Sequence, residues 1–133
     1  IGMEDLSADI GSVVTEDTLQ FPNTQVLYAA REAGVVPIGY PGSITIYKEL
    51  DLFRGWIQTA KQHGFEGGFC IHPNQVEILN QELRPSEDEV QAADEIVKAA
   101  QNHSGAFSLD GRMIDAPVVA RARRVCERHR LFS

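Results

Sequence analysis

Three carboxylates stand close together near the start of the printed sequence. Glu4 and Asp5 are adjacent and Asp9 follows, with Gly2 before them and Gly11 after them. A glycine followed by adjacent acids predicts a strand that ends in a solvent-facing turn, where carboxylate oxygens are available to hard cations such as Mg2+. The same spacing also fits a solvated turn, or acids placed in the first turn of a helix by its dipole. The spacing alone leaves a metal site and these structural roles open.

Composition excludes several functional classes. The chain has 133 residues, of which 43% are hydrophobic and 23% charged, which suits one core and not two full domains. Its net charge of -7 argues against nucleic-acid binding, because phosphate contacts need concentrated Lys and Arg. The only cysteines, Cys70 and Cys126, predict neither a disulfide framework nor a zinc site, and favour a cytoplasmic protein. No stretch resembles a membrane span of about 20 residues or an export signal, so we expect no membrane partner.

Helical spacing alternates with short apolar runs in the first part of the chain. The pattern predicts a helix over 24–33 that starts at Asn23, a strand over 35–38, a helix from Asp51 to Gly64, and a strand over 67–71 that ends at His72. This order predicts that the two strands pair in parallel. Residues 11–22 and 39–50 are expected to be irregular. Both stretches follow strand ends, where parallel α/β proteins place their sites.

The last third of the chain reads as helical. Ser86 and Glu89 form the Ser-x-x-Glu capping box of one helix, and Asp115 stands where a cap of the last helix is expected. An apolar segment and an Asp110-Gly111 turn lie between them. The last helix carries five arginines, Arg121, Arg123, Arg124, Arg128 and Arg130. These arginines form either a solvated basic face or a patch for ligand phosphates or an acidic neighbouring subunit.

Four segments in this order resemble the carboxyl half of the citrate lyase beta subunit family, in the group of HpcH/HpaI aldolases. They are Gly2-Met3-Glu4-Asp5-Leu6 with Gly11, Gly39-Tyr40-Pro41, Cys70-Ile71-His72-Pro73-Asn74-Gln75, and Ser108-Leu109-Asp110-Gly111-Arg112-Met113-Ile114-Asp115-Ala116-Pro117. The resemblance implies an α/β fold, the C-terminal part of a (β/α)8 TIM barrel plus a C-terminal helical extension. Strand six would end at residues 1–3, strand seven near 35–39 and strand eight near 67–71. Residues 1–133 would form a single unit, with barrel elements over 1–80 and the extension over 81–133.

For chemistry, the resemblance implies a divalent-metal-dependent carbon–carbon lyase acting on a hydroxyacyl-CoA thioester such as citryl-CoA or malyl-CoA. Asp5 matches the family's metal-binding aspartate, for Mg2+ or alternatively Mn2+. Asp115 matches the acid that transfers a proton in the site of a neighbouring subunit, which implies a homo-oligomer such as a trimer. A helix cap is an equally good local explanation of Asp115, and a carboxylate bonded to backbone amides carries protons less well.

The resemblance gives four further residues weaker roles. Glu4 is expected in the second shell of the metal or facing solvent. His72 lies at the ligand-side end of the last predicted strand and is a candidate for substrate binding, although a lone histidine before a proline is often structural. Tyr40 and Pro41 lie on the adjacent loop, where they are candidates for contact with CoA.

The resemblance also indicates what this stretch lacks. In relatives, the second metal carboxylate and an arginine that holds the substrate come from strands that precede Ile1. We therefore expect the chain alone to be inactive, and complete only with an upstream half. Two alternatives stay open: a class II aldolase acting on free 2-keto-hydroxy acids, and a non-catalytic protein-interaction fragment that uses exposed strand edges.

Overall fold

The computed structural model describes residues 2–132, which form six helices and one two-stranded sheet. In chain order they are α1 (Met3–Ile10), α2 (Glu16–Glu32), α3 (Leu50–His63), α4 (Pro73–Leu83), α5 (Glu87–Ala100), β1 (Phe107–Leu109), β2 (Arg112–Ile114) and α6 (Ala116–Arg130). The chain divides into two compact units, Ile1–Leu83 and Arg84–Ser133. None of the described helices is both long and apolar enough to cross a membrane.

The acids near the start of the chain lie on a helix and not in the predicted turn. Gly2 is extended, and α1 begins at Met3, so that Glu4 and Asp5 occupy its first turn. The helix ends at Gly11, whose left-handed backbone conformation closes it. The prediction that strand six ends at residues 1–3 is therefore wrong at Met3, which is helical. Ile1, where that predicted range begins, lies outside the described residues. Acids in the first turn are favoured by the helix dipole, the alternative that the spacing had left open.

Helix α2 begins much earlier than predicted, and residues 16–22 are not irregular. Thr15 and Thr18 form a reciprocal capping box, in which each side chain accepts a hydrogen bond from the other's backbone N–H. Pro22 lies inside this helix. Proline removes one backbone hydrogen bond, but burial of Leu19 and Leu27 on the same helix offsets that cost.

In place of the two predicted strands, the structure has one isolated parallel bridge between Ile38 and Gly67. Around it, the Gly39 N–H donates to the Gly67 carbonyl and the Glu66 N–H to the Pro37 carbonyl, both at 2.9 Å. The predicted parallel direction is confirmed there, but the full strands over 35–38 and 67–71 are wrong. Strands extend when neighbours pair along their whole length, and no other described segment pairs with these two.

The remaining helices of the first unit follow the prediction with one exception. Helix α3 ends at Gly64, as predicted, and the stretch before it is irregular. The exception is helix α4: the pattern predicts a strand that ends at His72-Pro73, whereas Pro73 begins the helix, a position to which proline is well suited. Helices α3 and α4 pack against each other. The most buried apolar residues of this unit form its core: Leu19, Pro37, Phe53, Ile57, Ala60, Phe65 and Leu83.

The second unit consists of α5, a β-hairpin and α6, and α5 packs against α6. The predicted capping box is confirmed: Ser86 Oγ accepts the Glu89 N–H at 3.1 Å and Glu89 Oε2 accepts the Ser86 N–H at 2.8 Å. The predicted turn joins β1 to β2, with Asp110 at φ +49° and Gly111 at φ +76°. The buried apolar residues in the described part of this unit are Pro85, Ala93, Ile114 and Ala122.

Replacing Ser86 by alanine is expected to lower the free energy of unfolding by about 1 kcal/mol. The substitution removes the acceptor of the Glu89 N–H and the reciprocal bond that depends on it. Urea unfolding followed by circular dichroism measures the change. Ser104→Ala, at an exposed position outside the helix, should leave the midpoint unchanged, and equal midpoints for the two variants would contradict the prediction.

Candidate functional site

Glu4 is held by the loop that precedes α3. Its Oε1 accepts a hydrogen bond from Ser43 Oγ, which also lies 2.6 Å from Thr45 Oγ1 and accepts the Thr45 N–H at 3.2 Å. Ser43 is buried and Glu4 is half-buried. One carboxylate oxygen of Glu4 is therefore engaged within the protein, whereas the side chain of Asp5, the next residue, is exposed.

Tyr40 is buried, and the half-buried Cys70 and Glu4 are near enough to act on it electrostatically. Tyr40 is only 3% exposed, and its hydroxyl donates to the Phe69 carbonyl at 3.0 Å. Burial raises the pKa of the Tyr40 phenol far above its usual range, and negative charge on Cys70 and Glu4 adds to the increase. Burial also raises the pKa of the Cys70 thiol. Both groups therefore stay protonated at neutral pH, which suits hydrogen-bond donation and not proton abstraction.

Pro41 and Gly42 continue the same loop into the interior. Gly42 lies against the indole of Trp56, which is 6% exposed and donates from Nε1 to Glu16 Oε1 at 2.9 Å. A Cβ atom at Gly42 would lie 2.1 Å from Trp56 Cδ2. The loop can adopt this course only because residue 42 has no side chain. Pro41 is buried as well, and contact of Tyr40 or Pro41 with CoA stays a prediction.

Replacing Gly42 by alanine is expected to destabilise the protein by about 1–3 kcal/mol, because the indole ring and the loop cannot both keep their places. Gly55→Ala is the matched control: Gly55 lies inside α3 with nothing near its Cβ position, so alanine should stabilise the helix by roughly 0.5–1 kcal/mol. Thermal unfolding of both variants measures whether each substitution lowers or raises the stability of the protein. A Gly42→Ala variant as stable as the parent protein would show that the loop is not held by this contact.

His72 lies where the second chain segment of the bridge meets α4. Its imidazole stacks on the Tyr47 ring, with centroids 5.3 Å apart and planes inclined by 20°. Its Nδ1 accepts the backbone N–H of Asn74 at 3.2 Å. The fully buried Gln75 accepts the N–H groups of Ile71 and His72 at its Oε1, at 2.9 and 3.2 Å. Contacts of both the imidazole ring and the backbone N–H therefore hold His72 in its orientation.

Gln75 also joins this turn to the loop before α3. Its Nε2 donates to the Ile44 carbonyl at 3.1 Å. Ile44 lies between Ser43, which contacts Glu4, and Thr45. The loop over 43–47 therefore contacts Glu4, Gln75 and His72 in turn, and these residues form one connected polar cluster in the first unit.

The described residues do not complete a metal site. Across residues 2–132, no group of three or more His, Cys, Asp or Glu side chains is placed to hold a metal ion. Asp5 offers an exposed carboxylate, the oxygen donor that Mg2+ prefers. With Glu4 engaged by Ser43, Asp5 is one ligand of suitable chemistry and not a site.

Asp115 lies in the second unit and caps α6. Its Oδ1 accepts the Val118 N–H at 3.2 Å, and its backbone is extended, as in an N-cap residue. The side chain is half-buried. The capping role that the local pattern predicted is confirmed, and the second carboxylate oxygen is left for other contacts.

Sequence reasoning named Glu4, Tyr40, Pro41 and His72, and the structure places all four in the first unit. It missed the residues that connect them, which are Ser43, Thr45, Tyr47 and Gln75. Gln75 lies in one of the segments that carry the resemblance, but a glutamine two residues after Pro73, in a polar Asn74-Gln75 pair, gives no local sign of burial. The hydroxyl pair Ser43-x-Thr45 was a detectable signal, because such pairs bond locally in loops.

A family model described as C–C bond lyase of the TIM-barrel fold matches residues 22–133. The chain is 36% identical over 117 residues to the citrate lyase subunit beta of Haemophilus influenzae, covering 83% of this chain and 38% of that protein. It is 29% identical over 131 residues to the human mitochondrial citramalyl-CoA lyase, covering 92% of this chain and 37% of that protein. The chain therefore spans less than half the length of these relatives.

A solved structure is similar over nearly the whole chain. It is the CitE protein from Mycobacterium tuberculosis in complex with magnesium, acetoacetate and coenzyme A. The TM-score is 0.78 at 25% sequence identity, and the match covers 96% of this chain and 50% of that one.

Proposed function

Because the chain belongs to the C–C bond lyase family of the TIM-barrel fold, we propose that it is part of a metal-dependent lyase that cleaves or forms a carbon–carbon bond in a hydroxyacyl-CoA thioester. Citryl-CoA and malyl-CoA are the substrates we propose first. The observation that carries the proposal is the family match over residues 22–133. The names of the relatives and the coenzyme A and magnesium bound to CitE support the substrate class and the cofactor.

We propose that residues 1–80 contribute about strands six to eight of a barrel that an upstream half completes, and that residues 81–133 form its extension. The apolar side chains around the parallel bridge support this proposal. Val36 and Phe69 are 62% and 69% exposed, and Val35 and Ile71 are 57% and 58% exposed. Neighbouring strands would cover these side chains and supply the missing backbone partners.

The proposed reaction sets clear demands on the site. A base removes the proton of the substrate hydroxyl group, and the bond between the hydroxyl-bearing carbon and the carbon next to the thioester breaks. The hydroxyl-bearing carbon becomes the carbonyl group of the released keto acid, and the electron pair of the broken bond forms a thioester enolate. A proton then returns to carbon, which gives acetyl-CoA. The site must therefore stabilise an anion and deliver a proton.

Different residues of this chain would carry out these steps. Asp115 would deliver the proton to carbon, acting on the site of a neighbouring subunit in a homo-oligomer, for which we propose a trimer or a multiple of it. His72 would contact the substrate, and Tyr40 and Pro41 would shape the loop beside the CoA moiety. Glu4, through its bond to Ser43, would hold α1 and the loop together behind Asp5.

We propose that Asp5 is one ligand of Mg2+, or of Mn2+ in its place, and that residues outside this stretch supply the others. When bound, the ion would supply positive charge to the hydroxyl and carboxylate oxygens of the substrate acid. We also propose that the enzyme works in the cytoplasm, where CoA thioesters and reduced thiols such as Cys70 and Cys126 coexist.

A substrate panel tests the proposal. The full-length protein that carries this segment is incubated with Mg2+ and either citryl-CoA, malyl-CoA or free 2-keto-hydroxy acids, and products are identified by mass spectrometry. We expect cleavage of at least one thioester into a keto acid and acetyl-CoA. Cleavage of free acids alone would support the aldolase alternative, and no cleavage of any substrate would support a non-catalytic interaction module.

A further inference from the structure

We infer that His72 acts as a neutral hydrogen-bond donor, through Nε2, to the thioester oxygen of the substrate, and that Gln75 is the residue that positions it. The inference rests on the proposed function for the identity of the acceptor. The protonated nitrogen and the role of Gln75 follow from the contacts of this chain alone.

The tautomer of His72 is fixed by the backbone. Nδ1 accepts the N–H of Asn74, and a backbone amide can only donate. A ring nitrogen that accepts a hydrogen bond carries no proton, so the single proton of the neutral imidazole lies on Nε2. Within residues 2–132 the structure gives Nε2 no hydrogen-bond partner, and His72 is only half-buried. The donor is therefore available to a ligand.

The direction of this donor is held by a side chain that never reaches solvent. Gln75 is 0% exposed. Its oxygen accepts two backbone N–H groups, from Ile71 and His72, and its nitrogen donates to the Ile44 carbonyl. Losing Gln75 would leave three partly buried backbone groups, in both segments, without the partner that the side chain supplies.

The same side chain sets the distance between His72 and the ring it stacks on. Tyr47 belongs to the loop that Gln75 holds at Ile44, and His72 belongs to the turn that Gln75 holds at its backbone. Stacking fixes the plane of the imidazole, and the Asn74 N–H fixes its rotation about the side-chain bond. A donor held in place before the reaction stabilises a developing negative charge without reorganisation.

An enolate oxygen is the group that needs such a donor. In the same unit, Tyr40 already donates to the Phe69 carbonyl, and Ser43 is engaged by Glu4 and Thr45. Among the side-chain donors of this polar cluster in residues 2–132, His72 Nε2 and the Tyr47 hydroxyl have no hydrogen-bond partner. We assign the thioester oxygen to Nε2, because the stacking and the Asn74 N–H hold the imidazole in one orientation. A thioester oxygen, neutral before bond cleavage and anionic after it, matches a neutral donor whose hydrogen bond strengthens as charge develops.

Nitrogen NMR of the isotope-labelled full-length protein tests the tautomer without any substrate. We expect His72 to show a protonated Nε2 and an unprotonated Nδ1, assigned by loss of its signals in His72→Phe. A proton on Nδ1 would overturn the inference whatever the enzyme does. In Gln75→Met we expect a mixture of tautomers and loss of the contacts between the His72 and Tyr47 rings. Gln81→Met, on the exposed side of the same helix, should change neither, and an unchanged Gln75→Met spectrum would remove Gln75 from its positioning role.

Kinetics of the full-length protein test the donor. His72→Phe keeps a stacking ring but has no donor, so we expect kcat to fall roughly 10²- to 10³-fold with little change in KM. His72→Gln restores an N–H group near the Nε2 position and should recover part of this loss. Equal kcat for His72→Phe and the parent would overturn the donor role. A parent protein that cleaves no thioester would instead overturn the proposed function, while the tautomer and the role of Gln75 would stand on the NMR result.

Discussion

Replacing Asp5 by asparagine in the full-length protein is expected to lower the rate of thioester cleavage by roughly 10³-fold, the equivalent of several kcal/mol of charge stabilisation by a metal ion. Asparagine keeps the size of the side chain but loses its charge, so the affinity for Mg2+ should fall with the rate. Because Asp5 is exposed at the start of α1, the fold should be unaffected. The rate is measured at saturating Mg2+, and metal affinity by calorimetry.

Asp9→Asn is the matched control for this variant. Asp9 lies on the same helix and is exposed as well, but it has no role in the proposed site. The rate of this variant should equal that of the parent protein. If Asp5→Asn retained the parent rate and metal affinity, the assignment of Asp5 as a ligand would be wrong.

Replacing Asp115 by asparagine is expected to lower kcat by roughly 10²- to 10⁴-fold, the usual contribution of a positioned proton donor. Asparagine caps helices about as well as aspartate, so the bond to the Val118 N–H should persist. The variant therefore separates proton transfer from capping. Stopped-flow measurement of kcat, together with thermal unfolding, gives the two effects independently.

Two further variants separate the loss of the helix cap, and the loss of a carboxylate elsewhere in the unit, from the effect of Asp115→Asn. Asp115→Ala loses the cap as well, and should cost about 1 kcal/mol of stability in addition. Asp110→Asn removes an exposed carboxylate from the hairpin turn of the same unit, where asparagine tolerates the positive φ of +49°, and should leave kcat unchanged. A fully active Asp115→Asn protein would restrict Asp115 to its structural role.

The helices were predictable where the chain carries a strong local signal. The Ser86 and Glu89 box gave the start of α5, and Gly64 gave the end of α3. The start of α2 was missed because its box uses Thr18 in place of Glu or Gln, and because Pro22 suggested a boundary. The predicted strands could not be judged locally, since a strand depends on partners that sequence patterns do not show.

The candidate site, too, was predictable from the sequence only in part. Residue type identified Asp5, Asp115 and His72 as groups able to do chemistry, and a resemblance gave them roles. The contacts that orient His72 come from Gln75 and from Tyr47. Tyr47 lies in the loop over 43–47, which His72 and Gln75 meet only in the folded unit. Burial of a glutamine to 0% exposure is decided by tertiary packing, which local patterns do not encode.

Cleavage in heavy water tests the central proposal most directly. The full-length protein is supplied with Mg2+ and malyl-CoA or citryl-CoA in D2O, and the CoA products are weighed by mass spectrometry. A lyase that forms an enolate must return a solvent-derived hydron to carbon, so we predict acetyl-CoA that carries one deuterium in its methyl group, together with the keto acid. Release of free CoA and the intact hydroxy acid would show hydrolysis of the thioester, and would contradict carbon–carbon cleavage.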